Sequence, residues 1–351
     1  MAITESNVYG LWLAKQTAKG TPATVGTKKL IQVGGDVEIN RDDGSENWND
    51  GDRFGDATDY INTLAGGGAP VIEAQPDSLA YLLWLYFGGE SVSGTTTKTH
   101  VYTPQTNGGF YSTWWSRVGL SNIVRQKYND MRIGSIRIEA STANKIMKVT
   151  PTLIGADPGE VFTADPTPAN ISKGTPGATS DNLPFLYTEA KGTFTIDGTV
   201  FTGHTQFALV VSDSLSAVYG DDVVPYDFVP GVANVTLEGV TMILDSASVA
   251  QYNKIVYGTA APGSGAKPLK SLAGQALGSY TADFTRNGVG AAAFQRCFIE
   301  VPGVKWTPDV NIAPAPDGGP IEIPLAGGAR KSGANPMVRV TVNNDQAAYT
   351  V

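Results

Sequence analysis

The sequence predicts a mainly β protein made of two tandem β-sandwich or barrel modules, each with one short flanking helix. Three observations predict it. The 351 residues hold 41 Gly and 21 Pro, and apolar residues alternate with polar ones in short runs, as half-buried strands joined by turns require. Only two segments carry a helix pattern. The elements around those two segments come in the same order.

The elements can be justified in turn. Residues 30–41 read as a strand, with Val37 and Ile39 on one face and Asp36, Glu38 and Asn40 on the other. The next stretch, RDDGSENWNDGDRFGDATDY, has no periodicity and is expected to be a long loop or a hairpin arm. Residues 71–74 make a strand, and Gln75-Pro76-Asp77-Ser78 open a helix. Proline suits a first helical turn, and an early Asp complements the helix dipole. Leu79 to Phe87 are apolar nearly all round, so this helix should be buried, and Gly88 stops it. Asn107-Gly108 signals a hairpin. Residues 131–140 and 145–154 read as paired strands turning at Ala143-Asn144.

Residues 156–184 are rich in Pro, Gly, Ser and Thr and read as a linker between a first module, 1–155, and a second, 185–351. Beyond it, TFTIDGTVF is a hairpin on Asp197-Gly198. QFALVVS alternates Phe207, Leu209 and Val211, and 235–244 is a strand leading into the second helix. In MVRVTVN, Val338, Val340 and Val342 share a face.

The two halves can be set side by side. Gly66, Ile72 and Glu73 match Gly231, Leu237 and Glu238 at a spacing of 165 residues. After five extra strand residues, Ser78, Ala80 and Gly88 match Ser248, Ala250 and Gly258 at a spacing of 170. Strand, acidic loop, strand, single helix and further strands follow one another twice, which points to internal duplication.

Charge is distributed unevenly. The net charge is −8, and the stretch from Asp36 to Asp59 alone carries −7. Its nine acids are Asp36, Glu38, Asp42, Asp43, Glu46, Asp50, Asp52, Asp56 and Asp59, against Arg41 and Arg53. A second acidic stretch holds Asp213, Asp221, Asp222 and Asp227. An acidic chain is a poor match for gripping a phosphate backbone, and these acids are either a solvated face or a surface that repels anions.

Little else resembles a reactive centre. Cys297 is the only cysteine, so no disulfide forms within the chain and no cysteine-based metal site exists. His100 and His204 lack partners at ligand spacing, no G-x-S-x-G elbow occurs, and the acidic loop does not fit an EF-hand. No cofactor, metal or catalytic residue is expected. Of Trp114 and Trp115, one should be core and the other should lie at an interface. The opening MAITESNVYG lacks signal-peptide order and no run is long enough to span a bilayer, so a soluble chain from a reducing compartment is expected, without membrane contact.

The opening VYGLWLAKQTAKGTPAT, with Tyr9-Gly10, Lys15 and Gly20-Thr21-Pro22, resembles the start of phage tail tube proteins. QPDSLAYLLWLYFGG followed by HVYTP resembles that family's helix and next strand, and RIGSIRIEAS with KIMKVTPTLIG its paired core strands. The resemblance covers most of 1–155 and recurs more faintly in 190–258. It implies two tail-tube-like modules whose sheets join across subunits into rings. The rings stack into a tube of the long-flexible-tailed kind, with extended loops reaching the next ring. It implies a virion tail protein assembled in the host cytoplasm, with a tape-measure protein and tail-end proteins as partners and DNA in transit without specific binding. Three duplicated chains would give a pseudo-six-fold ring, and six chains a true one. The thirteen acids named above are the lumen or ring-stacking candidates. The rivals are a decoration or adhesion module and a carbohydrate-active protein.

Overall fold

A computed structural model describes residues 9–26, 28–48, 56–95, 97–105, 108–119, 123–166, 182–190, 194–201, 203–271, 275–287, 294–308, 312, 319–346 and 348–349. The first half opens with β1 (Tyr9–Lys15), β2 (Lys28–Leu30), β3 (Gln32–Gly34), β4 (Val37–Trp48), β5 (Asp56–Gly68) and β6 (Val71–Glu73). Helix α1 (Pro76–Phe87) follows, then β7 (Ser91–Ser93), β8 (Lys98–Tyr102), β9 (Ser112–Val118), β10 (Val124–Ser141), β11 (Lys148–Gly155) and β12 (Glu160–Val161). The second half has a 3-10 turn (Tyr187–Ala190), β13 (Thr195–Ile196), β14 (Thr199–Val200), β15 (His204–Ser212), β16 (Ser216–Tyr219), β17 (Pro225–Val229) and β18 (Asn234–Ile243). Helix α2 (Ser246–Tyr257) leads to β19 (Gly278–Asn287), β20 (Phe294–Pro308), β21 (Glu322–Ala329) and β22 (Arg339–Asn344). The protein is mainly β, and none of its described helices is long and apolar enough to cross a membrane.

All the pairings are antiparallel, and one order occurs twice. In the first half it runs β2–β1–β9–β10–β11–β5–β4. In the second it runs β14–β13–β19–β20–β21–β18–β15. Each helix follows the strand, or strand pair, that neighbours β11 or β21. Among the described strands, two pairings link the halves: Ser135–Ser141 of β10 pair with Gln206–Ser212 of β15, and β22 lies between β20 and β8. One large apolar core runs through both halves, and a small second cluster of Trp12, Ala14 and Trp115 lies apart from it.

The helices differ in burial although their sequence signals agree. Eleven of the twelve residues of α1 are buried, against four of α2. Strands β8 and β22 and the C-terminal Tyr349 cover α1, with the Tyr349 ring 5.2 Å from Tyr81 and 5.5 Å from Trp84. Both helices end on a left-handed glycine, Gly88 (φ 76°) and Gly258 (φ 77°), a conformation that costs glycine nothing. Their starts differ. Asp245 and Ser248 form a reciprocal capping box. Gln75 supplies no side-chain cap, and the free Asp77 amide is met by the distant Asn182 Oδ1 at 3.1 Å.

Several expectations need correction. Strands β8 and β9 do not form a hairpin: β8 pairs with β7 and β22, and β9 with β1 and β10. Asn107 lies outside the described residues. The following segment instead serves the helix end, where the Phe110 amide satisfies the orphan carbonyl of Leu85 at 2.8 Å. Trp114 is core as expected, but Trp115 is buried within the chain, on the opposite face, against Trp12 and Ala14. Counting back from the helix starts, Ile72 corresponds to Met242 rather than Leu237, because β18 carries a bulge at Gly239 (φ 59°). The described flanks of 156–184 are docked, with β12 paired to β10 and Asn182 bound to the start of α1. Residues 167–181 lie outside the described set.

Both histidines are buried structural groups. The His204 ring stacks on Phe194 at 3.9 Å. Its Nδ1 is 2.9 Å from the Tyr187 hydroxyl, which donates to the His204 carbonyl, so Nδ1–H donates and Nε2 accepts from Tyr280 at 3.2 Å. Burial lowers its pKa to about 3 from the ordinary 6.5. The unfolded chain therefore binds the extra proton first as pH falls, and stability drops from about pH 6.5 towards 3, by at most ~1.4 kcal/mol per pH unit. Asp77 has the opposite slope, because burial raises its pKa to about 6 despite Lys28. His204→Gln should flatten the acid limb, read as the difference in urea midpoint from the parent between pH 7 and 4. The Asp77 contribution is common to both proteins and cancels. An equal loss in both would overturn the assignment.

Candidate assembly surfaces

Three features project from or border the common core: a hairpin arm, a two-stranded ribbon and a bare strand edge. The arm is the region of 41–60 that lacks hydrophobic periodicity. Strands β4 and β5 pair from Val37↔Gly68 out to Trp48↔Asp56, so the hairpin-arm alternative holds and the loop does not. Only its base is attached to β11, through Gly66, Gly67 and Gly68. Beyond that point, among the described residues, each arm strand has no strand partner but its own mate, so no core face imposes an apolar period. Ile39, expected to share the buried face of Val37, is 41% exposed while Val37 is 2% exposed.

The ribbon is β16–β17, within the second acidic stretch, which contains no Lys or Arg from Asp213 to Phe228. The Leu64 amide of β5 donates to the Val223 carbonyl at 3.0 Å. That bond sets the ribbon turn, with Asp221 and Asp222, beside the arm. Two acidic segments far apart in sequence thus border one surface.

The candidate acids fall into distinct settings. Glu38, Asp42, Asp43, Asp59, Asp221 and Asp222 are exposed. Asp43 pairs with Arg41 and Asp42 accepts from Asn62 at 3.2 Å, while Asp222 accepts from the Val224 amide at 3.4 Å. Glu46 and Asp56 are on the arm strands, and Asp50 and Asp52 lie outside the described residues. Asp36 accepts from Ser116 at 3.1 Å and from the Val37 amide at 2.8 Å.

Asp213 and Asp227 also hold internal contacts, with tyrosines of the first half. Asp213 accepts from the Tyr86 hydroxyl at 3.2 Å, and burial raises its pKa. Asp227 receives the Tyr111 hydroxyl and, at 2.7 Å, the Phe228 amide. Burial opposes its ionisation, yet these bonds and the nearby Lys19 and Arg132 charges lower its pKa overall. In contrast, arginines on the body are consumed in pairs, such as Arg137 with Glu139 and Glu238, Arg296 with Asp283, and Arg286 with Glu189.

The third feature was not expected from the sequence. Among the described residues β4 has no strand partner except β5, and an edge left open in this way invites pairing with another chain. The signal that could have located it is the match between this strand and β15, which is flanked on both sides.

Comparison with known proteins gives one finding for the chain. A family model described as "Phage tail tube protein" matches residues 7–329. No curated protein matches the chain.

Proposed function

The chain belongs to the phage tail tube protein family, matched across both halves, and from that premise we propose that it is the ring-forming subunit of a tail tube through which the genome passes. Membership makes it a structural component of the virion tail that self-assembles into stacked rings. The finer proposal is that each chain contributes two tube modules, so that three chains make a pseudo-six-fold ring.

The observation that carries this is the repeated strand order. Seven strands and one helix recur with the same connectivity and pairing, from β1 to β11 and from β13 to β21. Two helix signals alone could arise by chance, because any strand-to-helix junction shares a cap and a stop glycine. A shared pairing order over seven strands is a far stronger match. The arm and ribbon acids support an acidic lumen or inter-ring surface, since like charge keeps a polyanion from adhering during transit. A tape-measure protein filling the lumen before ejection and tail-end proteins at its termini are the partners this role requires.

Negative-stain electron microscopy of the purified chain, with ring classes averaged for symmetry, tests the proposal. Stacked rings with a hole and three-fold classes are expected. True six-fold classes would overturn the three-chain count, and dispersed particles at high concentration would overturn the tube itself.

A further inference from the structure

The two halves contain one corresponding place that is filled in the first and open in the second. The stop glycines Gly88 and Gly258 align Trp84 and Leu85 of α1 with Lys254 and Ile255 of α2. The strands align through a shared bulge: past it, the next pair is Ser112↔Met131 in one half and Gly278↔Val304 in the other. Ser112 therefore corresponds to Gly278, and Phe110 to Ala276. In the first half the Phe110 ring lies on Trp84, 5.0 Å between centroids, and its amide bonds the Leu85 carbonyl. In the second half Ala276 stands for Phe110 and Lys254 for Trp84. The Gln275 side chain spans the distance instead, bonding the Ile255 carbonyl at 3.3 Å and the Trp306 amide at 3.1 Å. A cleft of about 360 Å³ opens between α2 and the start of β19, a volume in the range of ligand sites.

The cleft carries a donor that awaits an acceptor. Trp306 is 1% exposed, and its indole N–H has no partner among the described residues. The six-membered ring of Trp306 packs against Gly327. Its Nε1 faces Gly278, where an added Cβ would lie 2.7 Å away, so glycine leaves the N–H open to the cleft. A buried donor is costly unless something accepts from it. Ile255 and Leu277 supply an apolar wall, with Leu277 43% exposed. Asp197 is the only acid among the described lining residues, and it already accepts from the Ser279 amide at 2.8 Å and from Gln251 at 2.9 Å. The surrounding sequence is basic: from Ser246 to Ala282 it holds Lys254, Lys267 and Lys270 and no acid. The Leu269 amide bonds the Val256 carbonyl at 2.7 Å, which brings Lys270 to the same end of α2.

We propose that this cleft binds an acidic peptide segment of another protein, with an aromatic side chain in the place that Phe110 fills in the first half. A backbone carbonyl of the segment accepts the Trp306 N–H, its ring lies on Ile255 and Leu277, and its acids face Lys254 and Lys270. The occupant is a peptide because the first-half occupant is one, a ring and a backbone polar group delivered together. It is acidic because the rim is basic in a chain of net charge −8. Tyr60 and Tyr219, exposed tyrosines near acids in this chain, lie in paired strands and offer no free segment, so the partner is a different protein.

Calorimetric titration of the full chain with acetyl-Asp-Gly-Phe-Gly-Asp-amide tests the site. Saturable one-to-one binding is expected, lost when Ala replaces the peptide's Phe. Trp306→Phe, which removes the N–H and keeps a ring, and Lys254→Glu should each weaken binding about tenfold. Lys254 is exposed, so Lys254→Glu should leave the melting temperature within about 2 °C, which separates lost binding from lost folding. No saturation by about 1 mM peptide, or equal binding by Lys254→Glu, would overturn the site. Rings of the parent chain should form unchanged with the peptide bound. Rings dispersed by the peptide would assign the cleft to a contact between copies and overturn the foreign partner.

Discussion

Glu90→Ala should destabilise the dispersed chain by about 3–5 kcal/mol, the usual cost of stripping one member from a buried polar pair. Glu90 sits just after α1 and gathers three partners. Its Oε2 is 2.7 Å from His100 Nδ1 and 3.1 Å from the Tyr102 hydroxyl, and its Oε1 accepts from the Tyr349 amide at 2.6 Å. The His100 side chain is fully buried and that of Glu90 is 5% exposed. Truncation leaves three donors without an acceptor in the layer beneath α1. It also releases Tyr349, whose ring covers Tyr81 and Trp84. The melting temperature should fall by roughly 4–7 °C, with earlier proteolytic loss of the C-terminal segment. Glu90→Gln, which keeps an acceptor in place, should lose less than half as much. A change below about 1 kcal/mol in the alanine variant would show that the tail is not held by this cluster.

Shortening the arm should separate ring formation from ring stacking. Replacing residues 43–62 by Asn-Gly, so that Asp42 and Thr63 close a two-residue hairpin, removes a segment none of whose described residues belongs to the core. The Leu64–Val223 bond and β4 residues 37–42 remain. The melting temperature is therefore expected to change by no more than about 3 °C, as for other exposed segments. Rings should persist, while tubes of many rings should fall to single or paired rings in micrographs. Tubes of parental length would remove the arm from the stacking contact, and loss of the rings would place it in the ring joint instead.

Elements whose burial is local were legible in the sequence. α1 was readable from Pro76, an unbroken apolar run and Gly88. The Asp197-Gly198 hairpin was readable because both residues adopt positive φ, 53° and 74°, which few residue types tolerate. The strands β15 and β22 showed their alternation because one face of each meets the core: Phe207, Leu209 and Val211, and Val340 and Val342, are all nearly inaccessible. The arm escaped a firm assignment for the complementary reason: past its base its described residues pair only with one another, so no core face imposes a period.

Composition, alternation and the two stop glycines thus determined by themselves that this is a mainly β protein with two short helices in a repeated order. Only the tertiary structure decided which strands meet. The Asn107-Gly108 turn signal was overruled because β8 found a better partner in β22, more than two hundred residues away. The start of α1 is capped by Asn182, which no local pattern could indicate. Two helices with like sequence signals came to differ in burial because β22 and Tyr349 happen to cover one of them. Strand pairing is set by backbone hydrogen bonds common to every residue type, so the sequence marks where strands are and leaves their neighbours to the packing of the whole.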